Sequence, residues 1–257
     1  MSLRIAIIGG GNVATHFFKS LGERGVQKIF VRKKEENSHL PLALLSESQD
    51  LRTLDLAIII IAVSDDQIIN VMTNYHFDPD QIILHTAGSV DMDVIHQKHA
   101  KCGVLYPLMT LSKEDIIDYE QMPLLIEGSD ERILLLITQL AERISHRVAY
   151  FNSQHRKIIH LAAVIANNFT TSLLFDVEKI LKKHQLDKHL LVPLMEQTIH
   201  KVFNLGGEKS MTGPAVRKDQ MTIDLQLGLL NQHPEMLDLY QFFTHRIQKT
   251  KSEPSDS

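Results

Sequence analysis

Ile5-Ala6-Ile7-Ile8-Gly9-Gly10-Gly11-Asn12-Val13-Ala14 packs an apolar run, a glycine cluster and a helix start into ten residues. Four apolar residues read as a strand, three glycines as a turn, and the following Phe17, Phe18 and Leu21 recur at the spacing of an amphipathic helix. Gly9, Gly11 and Ala14 satisfy the pattern G-x-G-x-x-G/A. Gly9 permits the tight turn, Gly11 lets the main chain approach a diphosphate, and Ala14 is small enough for the helix to press on the strand. The helix start at Asn12 and Val13 offers free N–H groups to phosphate oxygens. The spacing predicts a dinucleotide site built from Gly9, Gly11, Asn12, Val13 and Ala14. The competing reading is a glycine turn used only for packing.

Outward from this corner, short apolar runs alternate with helix-length stretches up to about residue 150. Strands are expected at 4–8, 28–31, 56–63, 81–85 and 103–106, with weaker ones near 123–126 and 147–150. Apolar runs with little alternation suit strands covered on both faces. The expected class is therefore α/β, a doubly wound parallel sheet over residues 1–152. An all-α C-terminal domain, predicted to form the substrate pocket, follows over 153–250, and 251–257 reads as a disordered tail. Helical patterns in this second half break near Leu186-Asp187, Leu205-Gly206-Gly207 and His233-Pro234. Charge changes at the same place. Residues 1–150 hold 14 Lys+Arg against 20 Asp+Glu, and 151–257 hold 13 against 11.

The second strand discriminates between cofactors. An NAD site has Asp or Glu about 20 residues after the glycines, accepting from the ribose 2′-hydroxyl. Here the strand ends Phe30-Val31-Arg32-Lys33-Lys34. Arg32 and Lys33 suit a 2′-phosphate, which a guanidinium grips through two hydrogen bonds. Glu35 and Glu36 would take the NAD role if the strand ran further. NADP(H) is the expected cofactor, against the alternative of a solvated charge run at a strand end.

Ligands of an open α/β sheet bind beyond the carboxyl ends of its strands. This selects Val63-Ser64-Asp65, His85-Thr86-Ala87-Gly88-Ser89 and Tyr106-Pro107-Leu108. Val63, Ser64 and Gly88 are expected at the cofactor. Ser64 or Asp65 equally suits a helix N-cap, Gly88 a plain turn, and Pro107 a cis bond shaping the pocket.

In the second half, 158–175 contains no Asp, Glu, Lys or Arg but holds His160, Asn167, Asn168, Thr170, Thr171 and Ser172. So many polar groups argue against a lipid-facing span and for a buried helix. At about 100° per residue, Lys157, His160, Val164, Asn167, Asn168 and Thr171 share one stripe. Amides, a hydroxyl and an imidazole around a valine suit a surface facing cofactor and substrate. Thr212-Gly213-Pro214 reads as a capped helix start, after which Arg217 would clamp an anion and Asp219 orient it. The alternative is a surface ion pair.

Composition narrows the function classes. The 257 residues carry a net charge of −4, which argues against a nucleic-acid partner. The single Cys102 excludes a disulfide framework and a Cys-rich zinc site, and fits the cytoplasm. His96 and His99 lack further ligands, so no metal site is expected. Without H-E-x-x-H or G-x-S-x-G, hydrolase chemistry has no support. No membrane segment is expected, and the start at Met1 leads directly into a strand rather than a signal peptide.

The first half, through Gly9 to Ala14, resembles the Rossmann-type domain of coenzyme F420-dependent NADP oxidoreductases, shared with the pyrroline-5-carboxylate reductase group. With His160-Leu161-Ala162-Ala163, Asn167-Asn168-Phe169 and Thr212-Gly213-Pro214-Ala215-x-Arg217-x-Asp219, nearly the whole chain is similar to a family of NADP oxidoreductases. That family joins a Rossmann-like half to a helical half similar to the C-terminal domain of 6-phosphogluconate dehydrogenase, catalogued as a domain of unknown function. The resemblance implies a homodimer through the helical half. One departure stands out. Related β-hydroxyacid dehydrogenases pair a catalytic Lys with an Asn one helical turn later, whereas Lys157 is followed by Leu161. His160 and Asn167 are the substitute candidates.

The expected function is NADP(H)-dependent hydride transfer to or from a small C=O or C=N substrate. His160 would donate the proton, Asn167 or Asn168 would orient the reacting group, and Arg217, with Asp219, would hold an anionic substrate. The alternative is a non-catalytic NADP(H)-binding sensor or interaction module.

Overall fold

The computed structural model describes residues 4–251. It divides into two compact units, one ending at Asn168 and one beginning at Phe169. The change of character expected after residue 152 thus precedes the division by contacts, because the first turns of the next helix are tied to the sheet. Apart from Lys251, the tail expected from 251 onward lies outside the described residues.

The first unit is an eight-stranded sheet. Its strands are β1 Ile5–Ile8, β2 Val26–Phe30, β3 Leu45–Ser46, β4 Ile58–Ile61, β5 Ile82–His85, β6 Cys102–Pro107, β7 Leu124–Gly128 and β8 Val148–Tyr150. They lie in the order β3-β2-β1-β4-β5-β6-β7-β8. The helices are α1 Asn12–Gly25, α2 Ile68–Asn74, α3 Asp93–His96, α4 Glu131–Ala141 and α5 Ser153–Ala163. All neighbouring strands run parallel except β6 and β7. The wholly parallel expectation is refined there, while the Rossmann-type α/β class stands.

The continuous apolar runs explain this arrangement. In β4 all four isoleucines are buried. Ile58 and Ile60 join Ile5, Ile7 and Leu84 in the core on one face. Ile59 and Ile61 join Ala6, Ile8 and Ile83 in the core on the other. Successive side chains of a strand point to opposite faces, so a strand covered on both sides loses its polar alternation. Each buried isoleucine contributes about 1.5 to 3 kcal/mol. Strand order reverses around β1, which has β2 and then β3 on one side and β4 on the other. That switch point opens a crevice at the strands' carboxyl ends.

The second unit is helical: α6 Thr170–Lys183, α7 Val192–Leu205, α8 Gly207–Ser210, α9 Pro214–Arg217, α10 Gln220–Leu229 and α11 Leu237–Thr250. The expected breaks are present: Gln185 has φ 56 and Gly206 has φ 82, left-handed values that end a helix. Its apolar faces stay largely uncovered. From Phe169 onward, Ala215, Ile223 and Met236 are the only fully buried apolar residues among those described, while Phe203 is 84% and Met221 83% exposed.

The buried helix expected over 158–175 is not observed. Ile158, Leu161, Ile165 and Phe169 are all exposed. By length and composition alone, the helix Ser153–Lys183 is apolar enough to cross a membrane, with mean hydropathy 1.5 and none of its most apolar window buried. The sequence marks which face is apolar but not what covers it.

Candidate active site

The glycine corner sits at the switch point. Gly9 has φ 128, and a side chain there would overlap the carbonyl oxygen of Ala62 at the end of β4. A side chain at Gly10 would overlap the amide of Asn37, whereas the space beside Gly11 is open. The N-cap of α1 is Gly11, which has no capping side chain, and its first turn holds no acidic residue. The first amides of the helix are thus left to an external anion. Ala14 is buried in the core as expected.

These residues line a cleft of about 700 Å³. Gly9, Gly10, Gly11, Asn12 and Val13 form one wall. Arg32 and Lys33 come from the end of β2, and Val63, Ser64 and Asp65 from the end of β4. Asn12 donates from Nδ2 to the carbonyl of Leu111 at 2.8 Å, which holds its side chain to unit 1. Glu36 also lines the cleft, but Lys33 binds it at 3.0 Å. Arg32 has no such ion pair among the described residues. Ser64 occupies an N-cap position without a capping side-chain bond. Its hydroxyl bonds Asp66 instead, which lowers the pKa of that carboxyl.

Beyond β5 and β6 lies a second cluster. The phenol of Tyr106 and Nδ1 of His160 are 2.9 Å apart, and their rings meet edge to face at 5.8 Å between centroids. Gly88 makes this possible. A Cβ there would stand 2.5 Å from His160 Nδ1 and 2.7 Å from Tyr106 Cζ. Gly88 therefore serves the two rings and is absent from the lining of the cleft. Burial raises the Tyr106 pKa, and the charge of Asp65 raises it further. Asp65 links the two clusters, since it lines the cleft and its carboxylate accepts from the Ser89 hydroxyl.

The start of α5 carries His160 and is anchored below it. Arg156 is fully buried and ion-paired with Glu127 of β7. Glu127 also accepts from the Ser153 amide at 2.9 Å and the Ser153 hydroxyl at 2.7 Å. Arg156 donates to the Val90 carbonyl at 2.5 Å, and Lys157 pairs with Asp91 at 2.8 Å. His160 stands one turn after Arg156 on the same face of the helix. Nearby, burial pushes the His85 imidazole down to about 3, with Arg156 adding to the shift, while Nδ1 accepts from the Ala87 amide at 3.2 Å.

Asn167 and Asn168 lie in the same unit, where Asn167 donates to Asn168 at 3.0 Å. They fall in the π-helical turn Val164–Phe169, so the constant 100° spacing assumed for the polar stripe fails past Val164. Arg217 and Asp219 belong to the helical unit. Asp219 caps α10, accepting from the Thr222 amide at 3.1 Å and hydroxyl at 2.8 Å, and these bonds lower its pKa. Gly213, with φ 101, precedes Pro214 as the expected helix start.

Pro107 closes β6, and no cis peptide bond occurs among the described residues. His96 faces Cys102 Sγ at 3.5 Å, and His99 Nε2 lies 2.7 Å from the Gln81 carbonyl. The sequence reading missed Tyr106 as a partner of His160, and the Glu127–Arg156 pair. The signal for Tyr106 was its place at a strand end; its partner lies 54 residues away.

Comparison with known proteins agrees with this architecture. Residues 122–247 match the family described as Domain of unknown function (DUF2520). The chain is similar to the crystal structure of a "putative NADP oxidoreductase" from Bacteroides fragilis, with 29% identity, TM-score 0.84, and 96% of this chain and 98% of that one covered. Protein TM1727 from Thermotoga maritima matches at 21% identity and TM-score 0.79, covering 97% and 100%. An imine reductase from Myxococcus stipitatus in complex with NADP+ matches at 13% identity and TM-score 0.70, covering 96% and 93%. No curated protein matches the sequence. The second half of the chain is thus similar to that family, and the overall fold is shared with all three structures.

Proposed function

We propose that the protein is an NADP(H)-dependent oxidoreductase that transfers a hydride to or from a small C=O or C=N substrate. The observation that carries this reading is the glycine corner opening on a cleft that also receives Arg32. The residues fit the cofactor: the amides of Asn12 and Val13 would hold its diphosphate, and Arg32 with Lys33 its 2′-phosphate. NADPH would supply the hydride. The chain's own task is to bind the substrate, orient it and move a proton. His160 is the proposed proton donor, because its imidazole is held by Tyr106 at Nδ1 and is partly exposed. Asn167 and Asn168 are proposed to orient the reacting group. The exposed Arg217 is proposed as the anion-binding group of the helical unit, and Asp219 is the cap that holds the segment beside it.

We further propose a homodimer through the helical unit. Leu194, Ile199, Val202 and Phe203 on α7 are all exposed, and contiguous apolar surface of this kind marks an association site. A second copy covering it would give this unit the core it lacks. The same covering, with the polar groups on 158–175, supports a cytoplasmic protein over a membrane-bound one.

Titration of the purified protein with NADPH and NADH, followed by cofactor fluorescence, tests the assignment. NADPH should bind more tightly. Arg32→Glu should weaken NADPH by roughly 10- to 100-fold, the loss of one charge-assisted phosphate contact, and leave NADH nearly unchanged. Equal loss for both cofactors would remove the 2′-phosphate assignment.

A further inference from the structure

Tyr106 is the polar side chain that bonds His160. Its hydroxyl lies 2.9 Å from Nδ1, and Gly88 keeps open the space in which the two rings meet. Among the described residues Nε2 of His160 has no hydrogen-bond partner, and the ring is partly exposed. We infer that Tyr106 is the positioning residue of His160, holding the ring by Nδ1 so that Nε2 is the nitrogen that exchanges a proton with a bound substrate. This rests on the oxidoreductase reading of the same site.

The chemistry of the pair supports a fixed orientation in both protonation states. Burial and the charge of Asp65 keep the phenol protonated, so it can donate to Nδ1 of the neutral imidazole. The neutral ring then carries its proton on Nε2. In the imidazolium, Nδ1–H donates to the phenol oxygen, and Nε2 again bears the outward proton. When that proton leaves, the N–H bond at Nε2 breaks and an N–H or O–H bond forms on the substrate. The ring is left neutral with its remaining proton on Nδ1, donated to the Tyr106 oxygen, until Nε2 takes up a proton from solvent and the imidazolium is restored. The hydroxyl can turn from donor to acceptor, which neither a phenyl ring nor a carboxylate could do.

Three neighbours hold this pair in place. Gly88 admits no side chain without displacing both rings. The buried Glu127–Arg156 pair fixes the turn of α5 below His160. Asp65, joined to Ser89, places a negative charge near the phenol and carries the cluster to the edge of the cofactor cleft.

The test is nitrogen NMR of the full chain with 15N-labelled histidine, in which His160 is identified by its loss in His160→Gln. In the wild type the neutral ring should show Nε2 protonated and Nδ1 at the position of a hydrogen-bonded acceptor. Tyr106→Phe should return Nδ1 to its unbonded position, the signature of losing that hydrogen bond. NADPH affinity should change less than about twofold, because Tyr106 does not line the cleft. Gly88→Ala keeps the phenol but crowds the rings, and should give the same loss at Nδ1 even if Tyr106→Phe does not fold. Variant ring signals that superimpose on the wild type, or a wild-type Nδ1 that is unbonded, would overturn the role of Tyr106. Absence of NADPH binding by the wild type would instead remove the oxidoreductase reading, with the ring signals still deciding whether Tyr106 holds His160.

Discussion

The two units solve the burial of apolar side chains in opposite ways. In the sheet unit every residue of β1 and β4 is buried, and the two cores are complete within one chain. In the helical unit the apolar faces of α7 and α10 leave Phe203, Leu194, Leu225 and Leu229 in solvent. A sheet flanked by its own crossover helices supplies both partners of each contact, whereas a helix supplies only one face. The sheet unit is therefore expected to owe its stability to its own chain, and the helical unit to association.

The largest effect should come from breaking that association. Leu194→Asp combined with Phe203→Asp places two charges on the proposed interface. Sedimentation should show a wild-type dimer and a monomeric variant, with dimer affinity lowered by at least about 100-fold. An unchanged dimer would show that another surface, or none, covers α7.

Within the sheet unit the sharpest local test is Glu127→Gln. It strands the guanidinium of Arg156, which is fully buried. Removing one partner of a buried pair typically costs about 3 to 5 kcal/mol, to be read by urea denaturation. A loss below about 1 kcal/mol would mean that the pair does not anchor α5.

A smaller effect should follow pH. His85 titrates near 6.5 when unfolded and is pushed down to about 3 by burial in the fold. Between those values the unfolded chain binds a proton that the folded chain refuses, so stability falls as pH is lowered. The slope attributable to this group is about 1.4 kcal/mol per pH unit below 6.5. Denaturation of the wild type and His85→Asn at pH 7 and pH 5 should show the steeper loss in the wild type. Parallel losses would contradict a neutral buried imidazole.

The contrast between the units also explains what the sequence makes legible. The strands at 4–8, 56–63 and 81–85 are readable because central strands lose their polar alternation. The corner from Gly9 to Ala14 is readable because its constraints are local: a positive φ at Gly9 and a small residue at position 14. Other features depend on distant partners. Tyr106 and His160 meet only after β6 and α5 are assembled, and Glu127 finds Arg156 in the same way. The π-helical turn at Val164–Phe169 breaks a constant angular spacing, so periodicity alone does not place Asn167 and Asn168 relative to His160. The burial expected over 158–175 failed for a third reason: an apolar face states that something covers it without saying what.

A crystal structure of the protein grown with excess NADP+ decides whether the corner between β1 and α1 holds the cofactor's diphosphate. Diphosphate density is expected within hydrogen-bond distance of the Asn12 and Val13 amides, and the 2′-phosphate against Arg32. A corner left empty at saturating cofactor, or a dinucleotide bound elsewhere on the sheet, would overturn the assignment.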